Sequence, residues 1–422
     1  MSYIADLHIH SKYSRACSPE LTIPNLAHFA KLKGIDLLGT GDFLHPLWFS
    51  ELKKELIESP TGIHSHKGVK FLLTTEISCI YTERGRSRRI HILIFLPSFD
   101  SVLKLQAEFT KRHFNITSDG RPIIGIPVRE LCQIVWGLEK KAIIIPAHIW
   151  TPWFSLFGSE SGYDFFKECF GEFSDQILAV ETGLSSEPAM NWRIPDLDSK
   201  SIVSFSDAHS LPRLGREVTV FRGNMSYDEL REDLQTQNIE KTIEFFPEEG
   251  KYHYSGHRKC KVVYSPQDIR EKGSICPVCK KGLTVGVMTR VDELATRSQE
   301  ELLLKKESGI ITSSKFPTRP GFQMLVALDE IIAEAMELAS PQGQKVQAVY
   351  QHLVGTVDAE LKILTQTPLD KIAIIAGERV AEGVSRVREG NLSIEPGFDN
   401  TYGKVRIWSE GESDAKKQIS LF

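Results

Sequence analysis

The chain has 422 residues, of which 41% are hydrophobic and 25% are charged, and its formal net charge is −4. This length and composition exclude a short disulfide-stapled domain and allow a large core divided between two or three domains. No apolar run approaches the roughly 20 residues that span a bilayer, and the N-terminus turns polar at Asp6 without the pattern of a signal peptide. We therefore expect a folded, cytoplasmic protein.

The first 245 residues alternate short apolar runs with amphipathic stretches, such as residues 23–32 and 48–57. This alternation favours an α/β fold with a largely parallel sheet or barrel. The candidate strands are residues 3–7, 35–40, 70–75, 91–96, 142–146, 177–180, 202–205 and 218–221.

Histidines and carboxylates follow the ends of most of these candidate strands. Because the carboxyl ends of parallel strands form the active face of α/β folds, we expect these side chains to meet. His91 departs from this pattern because it begins its strand, which an antiparallel strand or a reversed hairpin would explain. The residues that follow strands are His8, His10, Asp42, His45, Glu76, His148, Glu181, Asp207 and His209.

Two pairs within this set have the spacing of metal ligands. His8 and His10 are two residues apart at a strand end, so both imidazoles lie on one side, and Asp207 and His209 repeat the spacing. Glu76 could bridge two ions. A single buried histidine is usually a hydrogen-bonded core residue, but the joint occurrence favours a metal cluster. Mixed nitrogen and oxygen ligands suit zinc or manganese, with magnesium as a further option.

The ordered motifs of residues 1–245 resemble the PHP (polymerase and histidinol phosphatase) family. These motifs are Asp6-Leu7-His8-Ile9-His10, Thr75-Glu76, His91, His148 after Ile-Ile-Ile-Pro-Ala, and Ser206-Asp207-Ala208-His209. The resemblance implies a distorted (β/α)7 barrel that carries up to three metals. It also implies the ligands: His8, His10, Glu76 and Asp207 for one ion, Glu76, His91 and His148 for a second, and His209 for a third.

The chain departs from the family pattern at two motifs. Thr40-Gly41-Asp42-Phe43-Leu44-His45 replaces the usual Thr-Asp-His, and Ser14-Arg15-Ala16-Cys17 lacks the acid or histidine often found after the first motif. Asp42 and His45 are therefore candidate ligands of the third metal.

Clustered metal ions activate a bound water and stabilise a leaving oxygen, so the expected chemistry is phosphoester hydrolysis. Glu76 and Asp207 are the candidate catalytic residues. Arg15 is a candidate contact to a substrate phosphate, and a surface salt bridge is its alternative role.

A second group of metal ligands lies in residues 246–295. His257 and Cys260, then Cys276 and Cys279, are two ligand pairs with two residues inside each and fifteen between the pairs. This spacing predicts a structural zinc ribbon, in which His253 is an alternative fourth ligand.

Residues 251–290 contain nine Lys or Arg and two acids, which leaves a charge of −11 on the rest of the chain. Such a segment suits a polyanion such as DNA or RNA, although a solvated basic face is the alternative. A second arginine cluster, at residues 84–89, is expected in a hairpin loop.

Helical periodicity follows the ribbon, at residues 322–338 and at residues 371–389, where Gly390 is expected to end the helix. A Gly-rich segment at residues 394–408 is either a structural turn or a backbone contact to phosphate. We divide the chain into a PHP domain (1–245), a ribbon (246–295), a helical DNA-contacting region (296–415) and a flexible tail (416–422).

The complete arrangement resembles the endonuclease Q family, which implies cleavage of DNA 5′ to uracil, hypoxanthine, xanthine and abasic sites. Trp150, Trp153 and Phe154 follow His148 and are candidates for contacting an extruded base, or for packing in the core. The last residues, Gln418-Ile-Ser-Leu-Phe422, resemble peptides that dock on sliding clamps. A small-molecule phosphatase of the PHP type and a non-catalytic nucleic-acid-binding protein are the alternative functions.

Overall fold

The computed structural model describes residues 2–409. The sliding-clamp peptide predicted at residues 418–422 lies outside this range. The strands are β1 (Ser2–Asp6), β2 (Leu37–Gly39), β3 (His64–His66), β4 (Val69–Glu83), β5 (Arg86–Leu96), β6 (Ile123–Ile124), β7 (Ile143–Pro146), β8 (Ala179–Glu181), β9 (Ser201–Val203), β10 (Val218–Arg222), β11 (Ile239–Glu244), β12 (Ser255–His257), β13 (Val262–Tyr264), β14 (Leu304–Glu307), β15 (Ile310–Ser313), β16 (Gly321–Met324), β17 (Ser393–Glu395) and β18 (Lys404–Arg406).

The α-helices surround the sheet and form most of the region after it. They are α1 (Ile23–Lys33), α2 (Pro46–Glu55), α3 (Phe99–Lys111), α4 (Val128–Leu138), α5 (Phe166–Phe170), α6 (Pro188–Trp192), α7 (Tyr227–Thr236), α8 (Pro266–Lys272), α9 (Val287–Leu294), α10 (Leu328–Ala335), α11 (Gln344–Thr356), α12 (Glu360–Thr365), α13 (Leu369–Ala376) and α14 (Glu378–Glu389). No helix within residues 2–409 has both the length and the apolar character needed to cross a membrane.

The main sheet has the strand order β14-β15-β16-β11-β10-β1-β2-β4-β5-β7, and β8 and β9 form a sheet of their own. This mixed arrangement with helices between the strands confirms the predicted α/β class. Strand β2 pairs in parallel with β1 and with β4, and β8 pairs in parallel with β9. A parallel bridge between Ile9 and Ala208 joins the segments that follow β1 and β9. The carboxyl ends of these strands therefore converge on one face, where the predicted ligands follow them.

Strands β4 and β5 form a hairpin much longer than the two apolar runs from which it was predicted. The strands are antiparallel, and Ser78 pairs with His91. Arg84 and Gly85 turn the chain with φ of 50° and 76°, as a tight two-residue hairpin turn requires. This antiparallel pairing explains why His91 reaches the site from the beginning of its apolar run.

The segment after the ribbon departs from the predicted helical pattern in two places. Strand β16 pairs in parallel with β11, so Phe322 belongs to the extended sheet and the helix begins only at Leu328. The helix predicted at residues 371–389 is two helices, since Gly377 with φ of 89° separates α13 from α14. Gly390 ends α14 in the left-handed conformation, as predicted.

The Gly-rich segment before β18 is a structural turn packed on the chain that leads into the ribbon. Gly397 N–H donates to Glu248 O over 2.8 Å, and Tyr254 N–H donates to Gly397 O over 2.9 Å. A Cβ at Gly397 would lie 2.3 Å from Gly250 O, so only glycine fits this position. Its backbone groups are thus used within the protein.

A buried ion pair joins the barrel to the C-terminal helices. Lys33 Nζ, at the end of α1, lies 2.7 Å from Glu360 Oε2 on α12, and both side chains are almost fully buried. Tyr350 OH also donates to this carboxylate over 2.6 Å. Removing the lysine would leave Glu360 buried without its cation, which is more costly than replacing the whole pair.

We expect Lys33→Met to lower the free energy of unfolding by about 3–5 kcal/mol, the cost typical of breaking a buried pair. Urea denaturation followed by circular dichroism measures this change. Lys31→Met is the matched control, because Lys31 is exposed on the same helix. Equal stability of both variants would contradict the role assigned to the pair.

Candidate metal centre and adjoining cavity

The buried carboxylate of Glu76, on β4, lies at the centre of the predicted cluster. It is 1% exposed and has imidazole nitrogens around both of its oxygens. The shortest distances are 2.6 Å to His91 Nδ1, 3.2 Å to His148 Nε2, 3.4 Å to His10 Nε2, 3.6 Å to His8 Nε2 and 3.1 Å to Arg121 Nη1. Glu76 therefore belongs to two of the ligand groups that the structure brings together.

His8 and His10 are each oriented by a carboxylate on the side away from Glu76. His8 Nδ1 lies 2.9 Å from Glu181 Oε1, and His10 Nδ1 lies 3.1 Å from Asp42 Oδ1. Such carboxylates fix the tautomer and the ring plane of a ligating histidine. They turn the Nε2 atoms of His8 and His10 towards Glu76 and Asp207.

Asp207 and His209 complete the cluster from the segment after β9. Asp207 Oδ1 lies 3.1 Å from His10 Nε2, and the ligand atoms of His10, Asp207 and His209 form one compact group. The backbone of Asp207 has φ of 46° and that of His148 has φ of 31°. These are sparsely populated conformations for residues with side chains, and they are typical of functional sites.

The charge of the cluster is set by its surroundings. Burial disfavours the charged form of Glu76, but His91, Arg121 and His8 hold the pKa of this carboxyl well below its usual range. Burial lowers the pKa of His91 to about 4, which keeps its imidazole neutral. A neutral imidazole and an ionised carboxylate are the forms that bind metal ions.

The field of the carboxylates favours positive charge at the centre. Burial alone would lower the pKa of His8, yet Glu181, Asp207 and Glu76 raise it well above its ordinary value. The Nε2 atom of His8 is nevertheless buried without a hydrogen-bond partner. A divalent cation would supply the positive charge and use this lone pair, so the residues present fit metal ions.

Asp42 and His45 do not occupy the positions predicted for ligands of a third metal. Asp42 Oδ2 accepts hydrogen bonds from Ser11 N–H over 2.6 Å and from Ser14 Oγ over 2.8 Å, while Oδ1 faces His10. Its oxygens are thus occupied, and it positions His10. His45 Nε2 lies 3.0 Å from Thr117 O and its ring stacks on Tyr13, away from the cluster.

Two arginines near the cluster differ from what the sequence indicated. Arg15 is largely exposed and its Nε lies 3.3 Å from Asp119 Oδ2, so it forms the salt bridge that was its alternative role. A contact between Arg15 and phosphate stays a prediction. Arg121, which no motif indicated, faces Glu76 from the loop before β6 and lines the same cavity.

A cavity of about 700 Å³ opens beside the cluster. His91, His148 and Asp207 line one side, and its apolar wall is formed by Ile80, Ile123, Trp153, Phe154, Leu184 and Tyr252. Of the three aromatic candidates, Trp153 and Phe154 are in this wall. Trp150 is not, because it is 1% exposed, packs on Phe157 and donates from Nε1 to Asn191 Oδ1.

The ribbon adjoins this cavity. Its ligand group contains His257, Cys260, Cys276 and Cys279, whose ligand atoms lie within 4.8 Å of one another, and His253 is not part of it. Burial opposes ionisation of Cys276, but the N–H groups of Cys279 and Val278 lower the pKa of this thiol to about 6. Three cysteines and a histidine match a closed structural zinc site.

The segments at both ends of the ribbon contact the loop that follows His148. The ring of Tyr252 lies 5.5 Å from that of Trp153. Arg290, on α9, donates from Nε to Phe157 O over 3.1 Å. The clustered histidines and carboxylates beside an open cavity are the site of a metal-dependent phosphoesterase.

Comparison with solved structures specifies the family. The crystal structure of the lesion-specific endonuclease PfuEndoQ from Pyrococcus furiosus matches with a TM-score of 0.82 and 32% identity, over 99% of each chain. Endonuclease Q in complex with a 27-mer duplex substrate, which has an abasic lesion at the active site, matches with a TM-score of 0.82 and 33% identity over 97% of this chain and 98% of that one. The chain belongs to the endonuclease Q family and is a metal-dependent endonuclease of DNA repair.

The C-terminal helices have a family model of their own, since the MJ0043 C-terminal domain matches residues 327–391. The uncharacterized protein MJ0043 of Methanocaldococcus jannaschii is 28% identical over 282 residues, which are 64% of this chain and 33% of that protein. The chain therefore spans about a third of the length of this relative.

We expect Glu181→Gln to lower the rate of phosphodiester cleavage about 10- to 100-fold, because His8 loses the carboxylate that orients it. Initial rates at saturating metal and DNA measure the effect. Glu172→Gln, at an exposed carboxylate, should cleave at the unchanged rate. An unaffected Glu181→Gln enzyme would show that His8 needs no such orientation.

We expect Cys276→Ala to remove one equivalent of tightly bound zinc, since it deletes one of four ligands of a closed site. Metal analysis of the purified proteins counts the ions. Cys132→Ala, at a buried cysteine that belongs to none of the ligand groups, should keep the full count. An identical zinc content in the two variants would rule out the ribbon site.

Proposed function

We propose that this protein cuts duplex DNA on the 5′ side of deaminated bases, namely uracil, hypoxanthine and xanthine, and of abasic sites. One observation carries this proposal: the candidate metal centre opens into a cavity of about 700 Å³ with an apolar and aromatic wall. A metal cluster for phosphate chemistry beside a pocket for a flat ring suits an extruded nucleotide.

The endonuclease Q complex with a duplex that has an abasic lesion at its active site supports this proposal. A damaged or weakly paired base is easier to extrude than a normal one, because less pairing and stacking energy is lost. The ribbon region reaches the cavity at Tyr252, and residues 251–290 contain nine Lys or Arg against two acids. Each phosphate that such a segment neutralises releases counterions.

We propose His8, His10, Glu76, His91, His148, Asp207 and His209 as the ligands of the catalytic ions. Metal ions held there would lower the pKa of a water and stabilise the leaving oxygen during in-line attack. The mixed imidazole and carboxylate ligands suit zinc, manganese or magnesium, and zinc is the proposed ion of the ribbon.

The side chains around the ligands orient the histidine rings and balance the charge of Glu76. Asp42 and Glu181 fix the ring planes of His10 and His8, so the ligand atoms need no rearrangement when substrate binds. Arg121 pairs with Glu76 and offsets negative charge beside the scissile phosphate. Trp153 offers a ring against which an extruded base can stack, and Phe154 forms the apolar wall beside it.

A phosphatase of small molecules is the second candidate function, because the same cluster would hydrolyse a phosphomonoester. The ribbon disfavours it, since a small substrate has no use for a basic module beside the cavity. Incubation with end-labelled duplexes that carry one uracil, one hypoxanthine, one xanthine or one abasic site separates the two functions. Equal cutting of undamaged DNA, or hydrolysis of a phosphomonoester alone, would contradict our proposal.

We expect Asp207→Asn to abolish cleavage while it leaves the affinity for lesion-containing duplex within about twofold, because the amide removes a charged ligand but not the DNA surface. Gel assays of cleavage and fluorescence anisotropy measure the two properties. Asp228→Asn, at an exposed carboxylate, is the control. Normal cleavage by Asp207→Asn would refute our ligand assignment.

A further inference from the structure

The arginine cluster of residues 84–89 is divided between the two faces of the β4–β5 hairpin. Side chains alternate along a strand, so Arg89 lies on the same face as His91, two residues away. Ser78 and Ile80, which pair with His91 and Arg89, also line the cavity. Arg89 therefore extends the wall of the metal centre towards the tip of the hairpin.

The opposite face of β5 has a different role. Arg88 donates from Nη1 to Gly162 O, and its guanidinium stacks on the ring of Tyr163 at 3.9 Å. Arg88 thus fastens the hairpin to the neighbouring loop. Arg86, on this same face, is exposed.

Three arginines line the cavity, and Arg89 differs from the other two because it has no carboxylate partner within residues 2–409. Arg15 is paired with Asp119 and Arg121 with Glu76. Within residues 2–409, Arg89 has no carboxylate partner, and its guanidinium lies over the ring of Phe154 at 5.5 Å. A cation that faces a phosphoesterase cavity without an anionic partner is available to a phosphate.

The position of Arg89 is well defined by its neighbours. Phe154 lies between it and the cluster, because the Phe154 ring is 5.0 Å from that of His91. Ser161 Oγ also donates to Arg89 O over 3.4 Å. A guanidinium stacked on an aromatic ring loses little further freedom when it binds an anion.

The spacing along the strand suits a phosphate next to the one that is cut. Two residues of a β-strand span roughly 6.6 Å. Successive nucleotides of one DNA strand rise about 3.4 Å each. The backbone of Arg89 is thus displaced from that of His91 by about the rise of two nucleotides, and the reach of its side chain allows one or two.

We propose that Arg89 binds a backbone phosphate of the damaged strand one or two nucleotides from the cleaved bond and so sets the register of the DNA over the metal centre. The inference rests on the proposed function, because it takes a DNA strand as the substrate. It assigns Arg89 to substrate binding and leaves Arg86 outside the contact.

The first test compares Arg89→Gln with Arg86→Gln, each in the Asp207→Asn background so that the duplex stays intact. We expect Arg89→Gln to raise the Kd for a lesion-containing duplex about tenfold and to reduce the slope of log Kd against log salt by about 1. Arg86→Gln should change Kd less than twofold. Equal effects of the two substitutions would overturn the inference, because general attraction by the hairpin would then suffice.

A second test locates the phosphate. Neutral methylphosphonate linkages replace one phosphate at a time in the damaged strand. We expect the protein with Arg89 to lose about tenfold in affinity at one linkage within two nucleotides of the cleaved bond, and Arg89→Gln to be insensitive at that linkage. Additive losses at every linkage would overturn the inference.

Two controls keep these outcomes separate from other failures. Arg89→Lys should recover part of the affinity, because it keeps the charge but not the planar guanidinium. Thermal unfolding by circular dichroism checks that each variant folds. If Arg89→Gln does not fold, the methylphosphonate scan of the protein that keeps Arg89 still tests the inference. If the unsubstituted protein cuts none of the lesion duplexes, the proposed function is wrong; if it cuts them and Arg89→Gln binds normally, only the inference about Arg89 is wrong.

Discussion

The burial of one carboxylate, Glu76, is the constraint on which the site depends. A buried anion is costly unless cations and donors surround it, and four imidazoles with one guanidinium do so here. The histidines follow or lie on β1, β5 and β7, which belong with β4 to one sheet, so the pairing of these strands places them around Glu76. The groups that offset the cost of burying the Glu76 carboxylate also bring together the imidazole lone pairs that bind a metal ion. The burial of Glu76 and the geometry of the metal ligands therefore depend on the same strand pairing.

A second layer of residues holds the first in place. Asp42 and Glu181 are fully buried and each accepts from backbone N–H groups as well as facing a histidine. The strained backbone at Asp207 and His148 also indicates that contacts around the site are tight, because left-handed conformations persist only where surrounding contacts enforce them. The site is thus built to be rigid. Rigid ligands lose little free energy to reorganisation, which is how preorganised sites favour a transition state.

The sequence predicted those features that short spacing encodes. The period of two placed His8 beside His10, and the ligand spacing of the ribbon predicted its metal group. The alternation of apolar runs with amphipathic stretches predicted the α/β class. The sequence could not distinguish a metal ligand from a residue that orients a ligand. Asp42 follows its strand just as His10 does, and only the hydrogen bonds of Asp42 show that it orients His10. Arg121 was missed because it reaches Glu76 from a loop, where no periodicity applies. Trp150 has the core-packing role that the sequence left open beside a base contact, and the sequence could not choose between the two because alternation is lost after β7.

The bridge between Ile9 and Ala208 also bears on how the protein is made. The candidate ligands begin at His8 and end at His209, so both ends of this stretch must leave the ribosome before the ring can close. Contacts between such distant segments form late, because a long loop must be ordered before they can contribute. A partly synthesised chain would hold scattered histidines without the complete centre. The topology thus delays nuclease chemistry until the barrel has been fully translated.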